Sequence, residues 1–444
     1  MGKRGESEVN KDILKQRICQ SIDDYQTEII DFAKNIASEP ELGFKEVKTA
    51  AKTAAVFDKL GIKYESGLAI TGIKGHAAGN AAGPTVAIFG EMDAVGCPDS
   101  PAADPLTGAA HACGHNIQMG VLIGAAYGLM KSGVLENLSG NVVFFGVPAE
   151  EFVEIEYRNQ LRAAGKLHYL GGKQELIYRD AFADIDMAMQ MHADKNSPQA
   201  TVAIGDSSNG FIGKMIRYIG KEAHAADAPE LGVNALNAAM IGLMGINALR
   251  ETFRDQDIVR VHPIITKGGD LVNCVPADVR METYVRAKSM TAMEKVHLQV
   301  DNALRAGGSA VGAETVIQTL PGYMPLICNH TMNELFATNA KIADPQAIIC
   351  DAGHFSASTD MGDVSQMMPV IHPFIGGTQG ALHTREFCVT DYAKACLMPA
   401  KAMALTIVDL LSDNAQAAKQ IINDFKPALT RQDYIKQMDS YFTE

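Results

Sequence analysis

Three short apolar runs constrain this chain most, because each one ends on a side chain able to bind a cation. Val86-Ala-Ile-Phe-Gly90 leads into Glu91-Met-Asp93. Asn141-Val-Val-Phe-Phe-Gly-Val-Pro-Ala149 ends at Glu150 and Glu151, and Asp186-Met-Ala-Met-Gln-Met-His192 ends on a histidine. Runs this short, with no polar alternation, read as strands buried on both faces, as in the central sheet of an α/β fold. Folds of that class place their sites beyond the carboxyl ends of the strands. Paired carboxylates there are costly unless they are solvated or bound to a cation. A solvated pair opening a helix accounts for Glu150 and Glu151 alone, and a core histidine accounts for His192 alone. Three such endings together point to one shared site.

The stretch His111-Ala-Cys-Gly-His115-Asn116 lies between the first and second of these runs. One thiolate and two imidazoles within five positions suit Zn²⁺ or a similar transition ion. The plainer reading, a buried cysteine between two surface histidines, accounts for any one of these residues but not for the cluster beside Glu91-Met-Asp93. The small-residue apolar run Met119–Ala126 after it has helical character. The candidate ligands are then Asp93, Cys113, His115, Glu150, Glu151, His192, His354 and His383. One ion takes four or five ligands, so a set this large points to two. A two-ion site polarises a carbonyl and stabilises both oxygens of a tetrahedral intermediate. One carboxylate must stay off the ions to act as general base. In a Glu-Glu pair, one can hold metal and the other the water. Asp93 is placed to orient a ligand histidine from behind.

At 444 residues the chain exceeds what one core usually supports, so two domains are expected. The net charge of −13 opposes a nucleic-acid partner, which needs a basic face. The eight cysteines are scattered and unframed, which fits reduced thiols and a cytoplasmic location. The first eight residues are charged and lack the apolar core of a signal peptide, and no apolar run is long enough for a membrane span. Helices are expected over Asp23–Ser38 and from Glu46 to Leu60, with a strand-rich crossover from Ile62 to Lys74. Phe152–Tyr178 reads as a helix followed by a Gly-rich loop. From about Ser208 the pattern changes to alternating strands and two helices, in the order β, α, β, β, α. We therefore expect an α/β protein of two domains. A mixed-sheet domain, 1–208 and 318–444, is interrupted by a smaller inserted α+β domain, 209–317. Alternating strands of the inserted domain present an edge, which favours self-association as a homodimer.

In this order, several landmarks resemble the M20 family of metallopeptidases across nearly the whole chain, and within it the amidohydrolases of aminobenzoyl-glutamate and hippurate type. They are Glu91-Met-Asp93-Ala, His111-Ala-Cys-Gly-His115, Pro148-Ala-Glu150-Glu151, Gln190-Met-His192, His224-Ala-Ala, Gly269-Asp-Leu-Val-Asn273, Ser358-Thr-Asp360-Met-Gly-Asp363 and His383 after a Gly-rich loop. The resemblance implies that the larger α/β domain is catalytic and the inserted one a lid or dimerisation domain, with a two-metal centre that hydrolyses an amide next to a free carboxylate. It implies Cys113, His115, Glu151, His192 and His383 as ligands, Glu150 as general base and Asp93 as the supporting carboxylate. His224 resembles a lid histidine that reaches the substrate, and Asn273 a lid residue that contacts it. The ions are Zn²⁺ or Mn²⁺, with Co²⁺ also suited to the donors. The expected activity is cleavage of an N-acyl amino acid, an aminobenzoyl-glutamate-like amide or a small peptide through a metal-activated water. A dipeptidase or carboxypeptidase is the alternative, and a binding protein that keeps the fold is a further one. The chain departs from the hippurate-type pattern in three places. Glu91 stands where those relatives have Asp, Asn116 also stands where they have Asp, and the segment after Glu151 is longer.

Overall fold

A computed structural model describes residues 10–193 and 201–442, and the chain divides into two compact units of mixed α/β structure. The first comprises Met1–Asp206, Ile327–Gly353 and Val364–Ala428. The second comprises Ser207–Leu326, His354–Asp363 and Leu429–Glu444. The second unit therefore runs past 317 to Leu326 and takes in two segments that linear boundaries assign to the first. Side-chain contacts explain this. The hydroxyl of Tyr434, on the C-terminal helix Arg431–Asp439, donates to the buried Asp363 carboxylate at 2.8 Å, and that of Tyr441 donates to Glu294 at 3.1 Å.

The first unit is built on a six-stranded sheet. Its order is Lys63–Leu68, Gly72–Ala78, Ser139–Val147, Ala81–Glu91, Met187–Met189 and Val370–Ile371. The last four strands run parallel, and the first two form an antiparallel hairpin joined to them. The crossover expected over Ile62–Lys74 is thus this hairpin. The three apolar runs are adjacent strands, buried on both faces as their lack of alternation requires. Their register brings Glu91 level with Val147, so the ends bearing Glu91, Asp93, Glu150 and Glu151 lie side by side.

Beneath the sheet, the helix His115–Lys131 is buried on every side as far as Leu129. Gly120, Gly124 and Gly128 recur every four residues, and neighbouring helices close onto that stripe. A Cβ at Gly124 would lie 2.7 Å from Ala400 Cβ, and one at Gly128 2.9 Å from Ile22 Cδ1. Close approach by Lys11–Asp24 and Met398–Leu411 depends on these missing side chains. The helix Lys11–Asp24 precedes the helices expected from the sequence; residues 1–9 lie outside the described residues. The stretch expected as a Gly-rich loop at the end of Phe152–Tyr178 holds the helix Gly172–Tyr178.

The second unit carries an antiparallel sheet in the order Arg260–Val261, Asp278–Ala287, Gly210–Ile219 and Glu314–Leu320, with Ile264–Lys267 also paired to Asp278–Ala287. Burial alternates along Asp278–Ala287, as a sheet with one covered face demands. The helices Ala235–Leu249 and Met290–Val311 pack so closely that a Cβ at Gly307 would lie 2.3 Å from the Ala238 carbonyl oxygen. Among the described residues, no single helix is long and apolar enough to cross a membrane.

Candidate metal centre

The site lies wholly in the first unit, where strand ends and one helix start converge. Gly114, at φ 82°, turns the chain into the helix that begins at His115. A Cβ there would lie 2.9 Å from Ala193 Cβ, beside the strand that carries His192. Glycine is needed on both counts. Asp93 ties two ligand-bearing segments together. Its Oδ1 lies 3.1 Å and its carbonyl oxygen 2.9 Å from His115 Nδ1, and its Oδ2 accepts from the Glu151 amide at 2.9 Å. With Nδ1 held as the donor, His115 presents a bare Nε2, the arrangement in which an imidazole binds metal. This Nε2 is buried and makes no hydrogen bond.

Cys113 Sγ lies 3.3 Å from His192 Nε2 and 3.2 Å from His383 Nε2. His192 Nδ1 faces the Ala193 carbonyl at 3.0 Å, which leaves its Nε2 toward the sulfur. His383 arrives on a left-handed turn, φ 61°, anchored by its amide donating to the Ala112 carbonyl at 2.8 Å. Its Nε2 is 2.9 Å from Glu151 Oε1. Glu150 Oε2 stands 3.9 Å from His115 Nε2.

Candidate ligand atoms fall into three groups, each within 4.8 Å: Cys113 with His115 and His192, Cys113 with Glu151 and His383, and Glu91 with His115 and Glu150. Cys113 belongs to the first two. The donor chemistry fits a pair of divalent ions. Imidazoles, carboxylates and a thiolate crowd together out of water, a donor set that a divalent cation would neutralise. The electrostatics agree. Burial and Glu151 push the Cys113 thiol up, but His192 and His115 outweigh them and bring it down to about 6. The Glu151 carboxylate pushes His383 up to about 12. Glu151 is pushed up by burial yet held at about 2, chiefly by His383.

The remaining sequence candidates lie elsewhere. His111 belongs to none of the three groups; its ring is buried without a hydrogen bond, and burial, with His115, holds it neutral with a pKa of about 3. His354 is in the second unit, between Ser207 Oγ and Asn209 Oδ1 at 2.9 Å each. His224 and Asn273 are exposed on adjoining loops of the second unit. His224 bridges to Cys274, and the Asn273 carbonyl accepts from the Ala225 amide at 3.0 Å. Three participants have no ligand signature in the sequence. Lys173 and Gln190 donate to Glu91 Oε1 at 2.7 and 2.6 Å, and Gln118 donates to its Oε2 at 2.7 Å. The one hint was Glu91 itself, a longer acid where the resembling family has Asp.

Residues 87–407 match the family described as peptidase family M20/M25/M40. The chain is 30% identical to the Xaa-Arg dipeptidase of Mus musculus, covering 94% of this chain and 90% of that protein. It is 26% identical to a p-aminobenzoyl-glutamate hydrolase component of Escherichia coli (strain K12), covering 93% and 97%. Among solved structures, it superposes on a Bacillus subtilis protein described as a dinuclear metal binding peptidase from the M20 family, with TM-score 0.64, 20% identity, and 88% and 99% of the two chains covered. An aminobenzoyl-glutamate utilization protein from Klebsiella pneumoniae gives TM-score 0.65 at 16% identity, covering 88% and 98%.

Proposed function

The chain belongs to peptidase family M20/M25/M40 and is a hydrolase, and from that membership we propose that it is a two-metal amidohydrolase acting on a small amide with a free carboxylate. The observation that carries this reading is the double membership of Cys113, whose sulfur would be shared by two ions. His115 and His192 would hold one ion with it, and Glu151 and His383 the other. Bound there, a pair of Zn²⁺ or Mn²⁺ ions supplies Lewis acidity toward water and the amide carbonyl.

The chain's own residues do the rest. Asp93 fixes the His115 tautomer and the Glu151 backbone together, so it sets the spacing of the two ligand groups. Glu150, next to Glu151 and 3.9 Å from His115 Nε2, takes the proton from the attacking water and returns it to the leaving amine. His224 and Asn273 are the proposed substrate-binding residues. Substrate candidates are an N-acyl amino acid, an aminobenzoyl-glutamate-like amide and a dipeptide. The dipeptide is the runner-up on the strength of the 30% identity to the mouse dipeptidase. The scattered, unframed spacing of the eight cysteines supports a cytoplasmic enzyme. A homodimer completes the proposal.

The test is amine release from a panel of these substrates by protein stripped of metal and reloaded separately with Zn²⁺ and Mn²⁺. We expect metal-dependent turnover on one class. In Glu150→Gln we expect two ions still bound but kcat lower by about 10²–10⁴-fold, the usual worth of a general base. Undiminished turnover in that variant would remove Glu150 from its role, and silence across the panel with two ions bound would favour the binding-protein reading.

A further inference from the structure

Glu91 is held more firmly than a spectator carboxylate needs to be. It is completely buried at the end of the central strand Ala81–Glu91. Oε1 accepts from Lys173 Nζ and Gln190 Nε2, and Oε2 accepts from Gln118 Nε2. These donors come from two helices and a strand end. His115 Nε2 lies 3.1 Å from Oε2, an ion-pair contact between two fully buried groups. That spacing also fits a nitrogen and an oxygen bound to one ion about 2.1 Å from each. Glu150 lies in the same group and keeps its role as general base.

Lys173 explains how the carboxylate stays there. Its side chain is fully buried, and the helix that carries it is clamped onto the catalytic loop. The Gly172 amide donates to the Ala149 carbonyl at 3.0 Å, and a Cβ at Gly172 would lie 1.6 Å from the Pro148 carbonyl oxygen. Neither charge is tolerable alone at this depth. Two departures from the hippurate-type pattern, Glu91 and the longer segment after Glu151, thus meet in one ion pair.

We propose that Glu91 is a further oxygen ligand of the ion held by His115, and that Lys173 is the positioning residue that holds its carboxylate to that ion. The inference rests on the two-metal reading. It makes the two sites unequal: the His115 ion gains a hard oxygen donor, which favours Mn²⁺ there relative to an all-soft set.

The test is titration of the stripped full-length protein with Co²⁺ alone, read by bound-metal content, calorimetry and visible absorption. Wild type should take up two ions; fewer would overturn the two-metal reading itself. The variant Glu91→Gln with Lys173→Met removes both buried charges together, so no lone charge is stranded. It should bind one Co²⁺ unchanged, lose at least about tenfold in affinity for the other, and show an altered absorption band for that site. Lys173→Arg, which keeps the charge, should retain both ions. If the double variant does not fold, Glu91→Asp is read in the same way, because it keeps the charge but withdraws the oxygen by one methylene. Two Co²⁺ bound with wild-type affinities and an unchanged spectrum in the double variant, or in Glu91→Asp where the double variant does not fold, would overturn the proposal.

Discussion

At the scale of single residues, the loop bearing Glu150 and Glu151 is held by a carboxylate that never reaches the metal groups. Ala149 has φ 49°, a left-handed conformation that costs a non-glycine residue roughly 1–2 kcal/mol. Glu46 Oε1 accepts from its amide at 2.8 Å, and Glu46 Oε2 accepts from the Thr71 hydroxyl at 2.6 Å. Burial, and then Asp93, push the Glu46 carboxyl up to about 7. Truncation by Glu46→Ala strips the acceptor from two buried donors, so we expect a loss of about 2–4 kcal/mol in urea denaturation. Glu46→Gln, which keeps one acceptor oxygen, should lose less. Equal midpoints for wild type and Glu46→Ala would show that the loop holds its conformation without this side chain. The sequence run Glu39-Pro-Glu41-Leu-Gly-Phe-Lys-Glu46 reads as a turn and a helix start, and nothing local in it reveals that Glu46 anchors a loop about a hundred residues away.

Elements differ in how well their sequence announces them. The strands Gly210–Ile219 and Asp278–Ala287 are legible because alternation reports a sheet with one wet face, and they pair antiparallel throughout. The helix Gly172–Tyr178 is illegible because its buried positions include Lys173, Gln174 and Glu175. Periodicity arguments take polar residues as exposed, and these are buried because each finds a partner. A similar polar cluster gives the second unit an expected pH dependence. On the helix Met290–Val311, His297 Nδ1 lies 3.3 Å from the buried Lys214 Nζ, which pairs with Asp301 at 2.7 Å. Burial, then Lys214, bring His297 down to about 4 against the opposing pull of Asp301. The folded pKa lies below the unfolded one, so the unfolded chain binds the proton first as pH falls. The contribution to stability is complete above about 6.5 and is lost on acidification toward 4. Between pH 6.5 and 5 this amounts to at most about 2 kcal/mol. The urea midpoint of wild type should fall more over that interval than that of His297→Gln, and parallel pH profiles would contradict the assignment.

For the whole molecule, the surface of the second unit bears on assembly. Met240, Ile241 and Met244 are exposed along one side of the helix Ala235–Leu249, and Leu271 and Val272 are exposed on a loop of the same unit. Apolar side chains gathered in this way mark contact surfaces more often than idle ones. We expect a dimer mass by sedimentation equilibrium and a monomer mass for Met240→Glu combined with Met244→Glu. A dimer that survives both substitutions would place the interface elsewhere.

The amino-acid sequence by itself determined the α/β class, the family and the set of residues from which a metal site could be made. Those signals are local: apolar runs that tolerate no alternation, acids and imidazoles at their ends, and a His-Ala-Cys-Gly-His turn whose donors are neighbours along the chain. Tertiary structure alone decided how that set is divided. It placed Cys113 in two ligand groups, left His111 outside both, and set His354 in the other unit. It also brought Lys173 to Glu91 across 82 positions of chain. Strand register and helix docking bring such residues together, and both are set by packing summed over the whole core, so no short stretch of sequence records the result.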